Sequence, residues 1–210
     1  MAPESGCPPS SGQPLPAEFH ARPTDIVARD LLGQFLWHRL GSGRVTGGRI
    51  VETEAYLGPD DPGSHARRRT PRSEIMYGPP GRAYVYFTYG MHECFNAVAH
   101  EPGAAGAVLV RALEPVCDLA GMAERRGSVV RRADGGVKEA LLCSGPARLT
   151  QALAITRELN SADLTRPPLW LTGGEPVPES AVAVTRRIGL RRGIELPARY
   201  IIAGSPFLSR

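Results

Sequence analysis

Apolar and polar side chains alternate along several short runs of this chain. Such alternation is typical of β-strands with one buried face, because successive side chains of a strand point to opposite sides of the sheet. Gly, Pro, Asn and Asp separate the runs, as expected for turns between strands. The runs predict a largely antiparallel sheet with strands over residues 37–40, 45–56, 84–89, 95–99 and 107–113 and an edge strand over 200–203.

Apolar residues at helical spacing predict helices beside this sheet. Thr24 and Asp25 are good N-cap residues, and the apolar positions that follow with helical period are Ile26, Val27, Leu31, Leu32, Phe35 and Leu36. Residues 115–125 and 146–155 are also predicted to be helical, the second with Ser144 as its cap and Pro146 in its first turn. Strands and helices together favour a mixed α/β fold of the α+β type.

The chain is predicted to form one domain behind a disordered tail. Residues 1–16 are rich in Pro, Ser and Gly and almost free of apolar side chains. Residues 17–210 can bury one substantial core, and no Ser- or Gly-rich linker divides them. No fixed-period repeat is present, which argues against a solenoid.

The charge of the chain is carried almost wholly by guanidinium groups. The formal net charge is +4, and Lys138 is the only lysine among 25 Lys and Arg residues. A basic balance favours an anionic partner, and guanidinium suits phosphate contacts. A genome biased toward arginine codons explains the same composition, so both interpretations stay open here.

The four cysteines are scattered and form no C-x-x-C pair, and no histidine lies near them at ligand spacing. We therefore expect no structural zinc site. The histidines also lack paired ligand spacing, and no Gly-rich phosphate loop precedes a helix, so no metal and no organic cofactor are expected. No leader-like start and no apolar run of membrane-spanning length is present. The expectation is a cytoplasmic protein with reduced thiols and no membrane partner.

The stretch from Arg49 to Gly58 places polar groups on one face of a predicted strand. Glu52, Glu54 and Tyr56 alternate with apolar neighbours and so share a face. Burying three such groups in a core is costly, whereas a cleft needs them. A functional site is therefore predicted here. For Glu52 the alternative of a structural carboxylate paired with an arginine stays open.

A second group of candidate residues follows between positions 65 and 92. Tyr84, Tyr86 and Thr88 share a strand face, and Tyr89-Gly90 lies where a hairpin should turn. Phosphate contacts followed by stacking or wedging aromatic rings are what a nucleic-acid surface needs. The arginines predicted to contact a DNA backbone are Arg67, Arg68, Arg69 and Arg72. The alternatives are a solvated arginine loop and tyrosines that merely pack.

Several of these motifs resemble those of one family. They are Glu-Thr-Glu-Ala-Tyr-Leu-Gly-Pro at 52–59, the downstream His65, Tyr-Val-Tyr and Tyr-Gly-Met within 84–91, Asn96, Leu-Val-Arg-Ala-Leu-Glu-Pro at 109–115 and Leu-Cys-Ser-Gly-Pro at 142–146. In this order they resemble the alkyladenine (3-methyladenine, or methylpurine) DNA glycosylase family. The resemblance runs from about residue 21 to the Gly-Ser-Pro at 204–206.

The resemblance implies a fold and an activity. The fold would be a single α+β domain with a curved antiparallel sheet and flanking helices, similar to the C-terminal domain of methionyl-tRNA formyltransferase. The activity would be base flipping in double-stranded DNA and hydrolysis of the N-glycosidic bond of alkylated or deaminated purines. Hypoxanthine, ethenoadenine, 3-methyladenine and 7-methylguanine belong to this substrate class. The protein would act as a monomer, associated with the nucleoid through DNA.

The resemblance also implies residue roles. Glu54 matches the general base that activates water, and Arg111 matches a residue that helps to orient this water. The matched base pocket comprises Tyr56, His65, Tyr86, Asn96 and Leu109. Tyr89 matches the residue that intercalates where the base has left. Met91 and His92, beside Tyr89 on the hairpin, complete the predicted DNA contacts, and His92 stands where vertebrate members carry an aromatic residue.

The single lysine bears on the mechanism. Glycosylases that also nick DNA need an amine nucleophile, and Lys138 lies in a polar Gly-rich stretch far in sequence from the pocket strands. Monofunctional hydrolysis is therefore expected, although the N-terminal amine stays open as a nucleophile. The rival functions are a non-catalytic nucleic-acid-binding module of the same fold and an enzyme acting on RNA or a free nucleoside.

Overall fold

The computed structural model describes residue 7 and residues 12–88 and 90–209. The helices of the described residues are α1 Ala17–His20, α2 Thr24–Asp30, α3 Leu119–Arg126 and α4 Pro146–Ala152. The strands are β1 Phe35–Arg39, β2 Val45–Leu57, β3 Ala83–Thr88, β4 His92–Val98, β5 Gly106–Cys117, β6 Leu169–Thr172, β7 Val182–Thr185 and β8 Arg199–Ile202. The predicted α+β class with an antiparallel sheet is confirmed.

All eight strands belong to one open sheet. Its main order is β3-β4-β5-β2-β1-β6, every pairing is antiparallel, and β7 joins through β8. The long strand β2 organises the sheet, because β5 pairs along one of its edges while β1 and then β8 share the other edge. The second half of β2 is therefore enclosed from both sides.

The β2·β5 ladder contains two compensating bulges. Ile50 pairs with Leu113, Glu52 with Ala112 and Thr53 with Val110. Val51 is therefore the extra residue of a bulge on β2, and Arg111 is the extra residue of a bulge on β5. A bulge bends the ladder locally and redirects a side chain. Arg111 is redirected in this way at the point where β2 carries its carboxylates.

The apolar core lies between the sheet and its helices. Helix α2 packs on β2 and β5, α4 packs on β4 and β5, and α3 packs on α4. The buried residues that α2 and the turn after it contribute are Val27, Ala28, Leu31 and Leu32. Burial of such side chains stabilises the fold by roughly 1.5–3 kcal/mol for each large aliphatic group.

Several predicted boundaries are wrong for identifiable reasons. The helix predicted from residue 115 begins at Leu119, because β5 continues through Cys117 opposite Gly47. The helix predicted to reach Leu36 ends at Asp30, because Gly33 reverses the chain at φ +85° and β1 follows. The helix beginning at Pro146 ends at Ala152.

Two predicted caps and one strand position are also wrong. The Thr24 hydroxyl donates to the Ala99 carbonyl instead of capping α2, and Gly145 rather than Ser144 is the N-cap of α4. Pro146 does lie in the first turn, as predicted. Asn96, expected near the start of a strand, lies in the middle of β4 opposite Tyr84 and Leu109.

The N-terminal segment contributes contacts to the sheet. Cys7 forms a disulfide with Cys117, so the expectation of reduced thiols is wrong for this pair. Cys94 and Cys143 are free and buried. The Leu15 N–H donates to the Leu171 carbonyl, ahead of the domain start predicted at residue 17. The tail predicted over 1–16 otherwise falls largely outside the described residues.

Candidate active site

Glu54 is a fully buried carboxylate held by three donors. It accepts hydrogen bonds from the Tyr56 hydroxyl at 2.9 Å, from Arg111 Nη1 at 3.2 Å and from the Ile188 backbone N–H at 2.7 Å. Tyr56 lies two residues away on the same face of β2, while Arg111 comes from β5 and Ile188 from the loop after β7. Three separate elements therefore fix the direction of this one carboxylate.

Glu52 carries a second buried carboxylate with a different set of partners. It accepts from Arg111 Nε at 3.1 Å, from Arg199 Nε at 2.7 Å and from the Ser209 backbone N–H and hydroxyl at 2.6 and 2.7 Å. The structural alternative, a carboxylate paired with arginine, is confirmed for Glu52. Glu52 thus holds the arginine that contacts Glu54.

Arg111 bridges the two carboxylates and keeps its charge. Burial opposes that charge, but the attraction of Glu54 and Glu52 outweighs burial and raises the pKa of Arg111. Its guanidinium also contacts the Ser209 hydroxyl. A permanently charged donor therefore lies beside Glu54, where a developing anion or an attacking water could be oriented.

An aromatic cavity of about 60 Å³ lies beside Glu54. Its wall is formed by Tyr56, Gly63, His65, Met76, Tyr86, Asn96 and Leu190. Burial, followed by the charge of Glu54, raises the pKa of Tyr56, so its hydroxyl keeps its proton and donates to Glu54. The cavity and the carboxylate are therefore joined through one tyrosine.

His65 lies at the rim of the cavity and is neutral at physiological pH. Desolvation, followed by the charge of Arg72, lowers the pKa of His65 to about 4. Its Nδ1 lies 2.8 Å from the Tyr84 hydroxyl, and its ring packs edge-on against Tyr86 at 4.8 Å. Desolvation also raises the pKa of Tyr84, so its hydroxyl keeps its proton and can donate to Nδ1, in the tautomer that leaves Nε2–H as a donor.

Comparison with known sequences assigns a family to this arrangement. The sequence profile described as methylpurine-DNA glycosylase (MPG) matches residues 18–206. The chain belongs to the methylpurine-DNA glycosylase family. The family resemblance inferred from the motifs is thereby confirmed, and the chain is a DNA glycosylase, a hydrolase of N-glycosyl bonds.

Relatives of the chain match it over nearly its full length. A protein of Carboxydothermus hydrogenoformans is 48% identical, and the alignment covers 93% of this chain and 98% of the relative. A protein of Chlorobaculum tepidum is 44% identical over 93% of this chain and 90% of its own length. Both carry the name "Putative 3-methyladenine DNA glycosylase".

The structure places four of the five residues predicted for the base pocket of this glycosylase around one cavity. Tyr56, His65, Tyr86 and Asn96 line it, and the Asn96 side-chain amide donates to the Tyr84 carbonyl at 3.0 Å. Leu109 is buried in β5 and pairs in register with both Glu54 and Asn96, but it is not part of the cavity wall. Tyr89 lies outside the described residues.

The predicted DNA contacts of the glycosylase lie on its surface. Met91 is 68% exposed, and with His92 it lines a separate open groove of about 500 Å³ beside α4. Arg67 and Arg68 are exposed. Arg69 is also exposed but donates to Glu74 and lies over the Tyr77 ring. Arg72 lies over the Tyr86 ring.

The sequence reasoning missed the loop over residues 186–195. Leu190 lines the cavity, and Ile188 donates its N–H to Glu54. Arg187 anchors the loop through a buried bidentate pair with Asp61, at 2.5 and 2.7 Å, and its guanidinium lies 4.8 Å from the Tyr56 ring centre. The sequence does carry a signal for this loop, since apolar residues are interleaved with arginines there. Two of these apolar residues, Ile188 and Ile194, are exposed.

Among the described residues no helix is long and apolar enough to cross a membrane. The same part of the chain contains no group of three or more His, Cys, Asp or Glu side chains placed to hold a metal ion.

Proposed function

We propose that the protein extrudes a damaged purine from double-stranded DNA into the aromatic cavity and hydrolyses its N-glycosidic bond, leaving an abasic site. The observation that carries the proposal is the buried Glu54 carboxylate, joined through Tyr56 to a cavity with aromatic walls. A surface that only binds nucleic acid gains nothing from burying a carboxylate beside an aromatic cavity. The pairing of Glu54 with Arg111 therefore favours catalysis over a non-catalytic binding module of the same fold.

Glu54 can serve the reaction in two ways. A water molecule attacks the anomeric carbon of the sugar, and the carbon–nitrogen bond to the base breaks with its electron pair leaving on the base. The transition state has oxocarbenium character, which the carboxylate stabilises, and the proton of the attacking water passes to Glu54. Arg111 Nη1, at 3.2 Å from Glu54, is placed to orient that water.

The substrate class follows from leaving-group chemistry. A purine alkylated at N3 or N7 carries a positive charge and departs as a neutral base without further protonation. A deaminated or etheno base is neutral and needs a proton as it leaves. The Nε2–H of neutral His65, at the cavity rim, can donate a hydrogen bond to such a base.

Extrusion of a base costs a few kcal/mol of stacking and pairing, least at a lesion. We propose that Tyr89, which lies between β3 and β4 in the sequence, fills the gap and offsets part of this loss. Met91 and His92 follow it on the exposed side of the β3–β4 hairpin. Arg67, Arg68, Arg69 and Arg72 are proposed to contact phosphates and hold the duplex over the cavity.

The reaction is proposed to stop at the abasic site. Cutting the backbone needs an amine that forms a Schiff base with the sugar, and the cavity wall contains no lysine. Lys138 is exposed and follows the bridge between Arg131 and Val137, on the segment that joins α3 to α4. Water, and not an amine of the protein, would therefore be the nucleophile that displaces the base.

Single-turnover excision tests the proposal directly. Matched duplexes carry hypoxanthine, ethenoadenine or 7-methylguanine opposite T or C, and product strands are resolved before and after alkali. We expect release of at least one lesion and strand cleavage only after alkali. No release of any lesion would contradict glycosylase activity on this class, whereas cleavage before alkali with borohydride-trapped enzyme would contradict monofunctional hydrolysis.

A further inference from the structure

Both aromatic walls of the cavity carry a guanidinium group. The Arg72 guanidinium carbon lies 4.6 Å from the centre of the Tyr86 ring, and that of Arg187 lies 4.8 Å from the centre of the Tyr56 ring. Tyr56 and Tyr86 line the cavity, while neither arginine is part of its wall. Each tyrosine of the wall therefore contacts a cation that is not itself part of the wall.

A ring that already binds a cation is a poorer partner for a second one. The face of an aromatic ring attracts a cation through the ring quadrupole, at distances up to about 6 Å. A guanidinium on one face draws on that electron density and repels a second positive charge approaching the other face. A neutral purine suffers no such repulsion. The two walls are therefore not the cation-attracting surface that bare tyrosines would provide.

The two arginines differ in how far their charge is balanced. Arg187 is fully buried and neutralised by Asp61, and it also donates to the carbonyls of Ala55 and Gly193. Arg72 is exposed, and the salt bridges of the described residues do not include it. Its field also reaches the cavity rim, where it contributes to the lowered pKa of His65. Arg72 is therefore the group whose charge acts on the cavity.

We propose that Arg72, acting on the cavity through Tyr86, sets the lesion preference by charge, disfavouring cationic alkylated purines relative to neutral deaminated or etheno purines. The inference rests on the proposed glycosylase function and narrows its substrate class. It assigns Arg72 to lesion selection in addition to any contact with phosphate. A phosphate contact alone would change binding of all duplexes alike, because every duplex presents the same backbone.

A charge series at position 72 tests this role. The variants are Arg72→Lys, Arg72→Gln and Arg72→Glu, and the measurement is the ratio of single-turnover rate constants for 7-methylguanine and hypoxanthine in one sequence context. We expect the ratio to rise by about threefold or more with Gln and further with Glu, and to stay near the original value with Lys. Arg72 is exposed, so thermal unfolding should confirm that all three variants fold.

Arg69→Gln is the matched control. Arg69 is also exposed and lies 5.0 Å from the centre of a tyrosine ring, but that ring belongs to Tyr77, which does not line the cavity. Arg69→Gln should therefore leave the ratio of the 7-methylguanine and hypoxanthine rate constants unchanged. A constant ratio across the Arg72 series, with hypoxanthine still excised, would overturn this inference alone. Failure of the unaltered protein to excise either lesion would overturn the proposed function and this inference with it.

Discussion

At the scale of single residues, the site depends on how two neighbouring carboxylates are used. Glu52 and Glu54 are both fully buried, yet Glu52 is occupied by Arg111, Arg199 and Ser209, whereas Glu54 faces the tyrosine of the cavity wall. Both carboxylates accept from Arg111 and from a backbone N–H, so they differ in the second arginine on Glu52 and in the tyrosine on Glu54. We propose Glu54 as the general base and Glu52 as a structural anchor, because Glu54 is the carboxylate joined through Tyr56 to the cavity wall.

Replacement of Glu54 by Gln keeps the shape of the side chain and removes the proton acceptor. We expect Glu54→Gln to lower the single-turnover excision rate by roughly a hundredfold or more while lesion binding persists. Glu101→Gln, in an exposed loop, is the control. An unchanged excision rate in the Glu54 variant would contradict a catalytic role for this residue.

Asn96 gives a second prediction at the same scale. It lies in the cavity wall, and we propose that its side-chain amide opposes the exocyclic amine of guanine by steric contact and an unpaired donor. We expect Asn96→Ser to raise excision of undamaged or mismatched guanine relative to hypoxanthine. The control is Asn160→Ser, because Asn160 accepts from the Val85 N–H but does not line the cavity. If the ratio is constant, Asn96 serves only to hold the Tyr84 carbonyl.

At the scale of elements, the loop over residues 186–195 is held in place from within. The Arg187 guanidinium packs against Gly63 and Gly193, where an added Cβ would lie 2.8 and 3.0 Å from Nη2. Gly193 also has φ +64°, a conformation that favours glycine. The loop can therefore present the Ile188 N–H to Glu54 in one fixed position.

Breaking the Asp61–Arg187 pair should loosen this loop and destabilise the protein. Asp61→Asn leaves a buried arginine without its counter-charge, and we expect a loss of about 3–5 kcal/mol in the free energy of unfolding. Urea titration measures the loss. Asp60→Asn changes the exposed neighbour and should have little effect. Equal unfolding midpoints for the two variants would contradict a stabilising role for the pair.

The arginine segment before the 3-10 turn at Glu74–Tyr77 gives a prediction on DNA affinity. Each guanidinium that contacts a phosphate adds about one unit to the salt slope. We expect Arg67→Ala with Arg68→Ala to reduce the slope by about two. Arg131→Ala with Arg132→Ala removes the same charge elsewhere and serves as the comparison. Identical slopes for the two double variants would indicate that this segment is a solvated loop that makes no phosphate contacts.

The sequence predicts those parts of the site that one strand encodes locally. Glu54 and Tyr56 follow from alternation within β2, and Tyr86 follows from alternation within β3. The Ile188 N–H and the Ser209 donors could not be predicted, because their partners lie 134 and 157 positions away and a backbone amide has no side-chain signature. Strands β6 and β7, at four residues each, are too short to show a period.

At the scale of the whole molecule, buried histidines link stability to pH. His20 is fully buried, and neither ring nitrogen has a hydrogen-bond partner among the described residues. Burial, followed by the charge of Arg22, lowers the pKa of His20 to about 4 from 6.5. The unfolded chain therefore binds one proton more than the folded protein between these pH values. Stability is full above pH 6.5 and falls as the pH decreases toward 4.

We expect the free energy of unfolding to fall by about 1.4 kcal/mol per pH unit on account of His20 within this window. His65 titrates in the same direction but lies at the rim, where solvent screening reduces its contribution. His20→Asn should flatten the dependence measured by urea titration between pH 7.5 and 4.5. His92→Asn, on the exposed hairpin, should preserve it. A His20 variant with the original slope would contradict the assignment.

The separation of the site residues along the chain has a consequence for biosynthesis. Glu52 is made 147 positions before Arg199 and 157 before Ser209, and Glu54 precedes Ile188 by 134. At translation rates of about 5–20 residues per second, these donors are made roughly 7–30 seconds after the carboxylates. Arg111 is available earlier, but burying the carboxylates without their other partners is costly, so the enclosure of β2 is incomplete during that interval. A nascent chain that has not yet reached Ser209 thus lacks several of the donors that orient Glu52 and Glu54 in the folded protein.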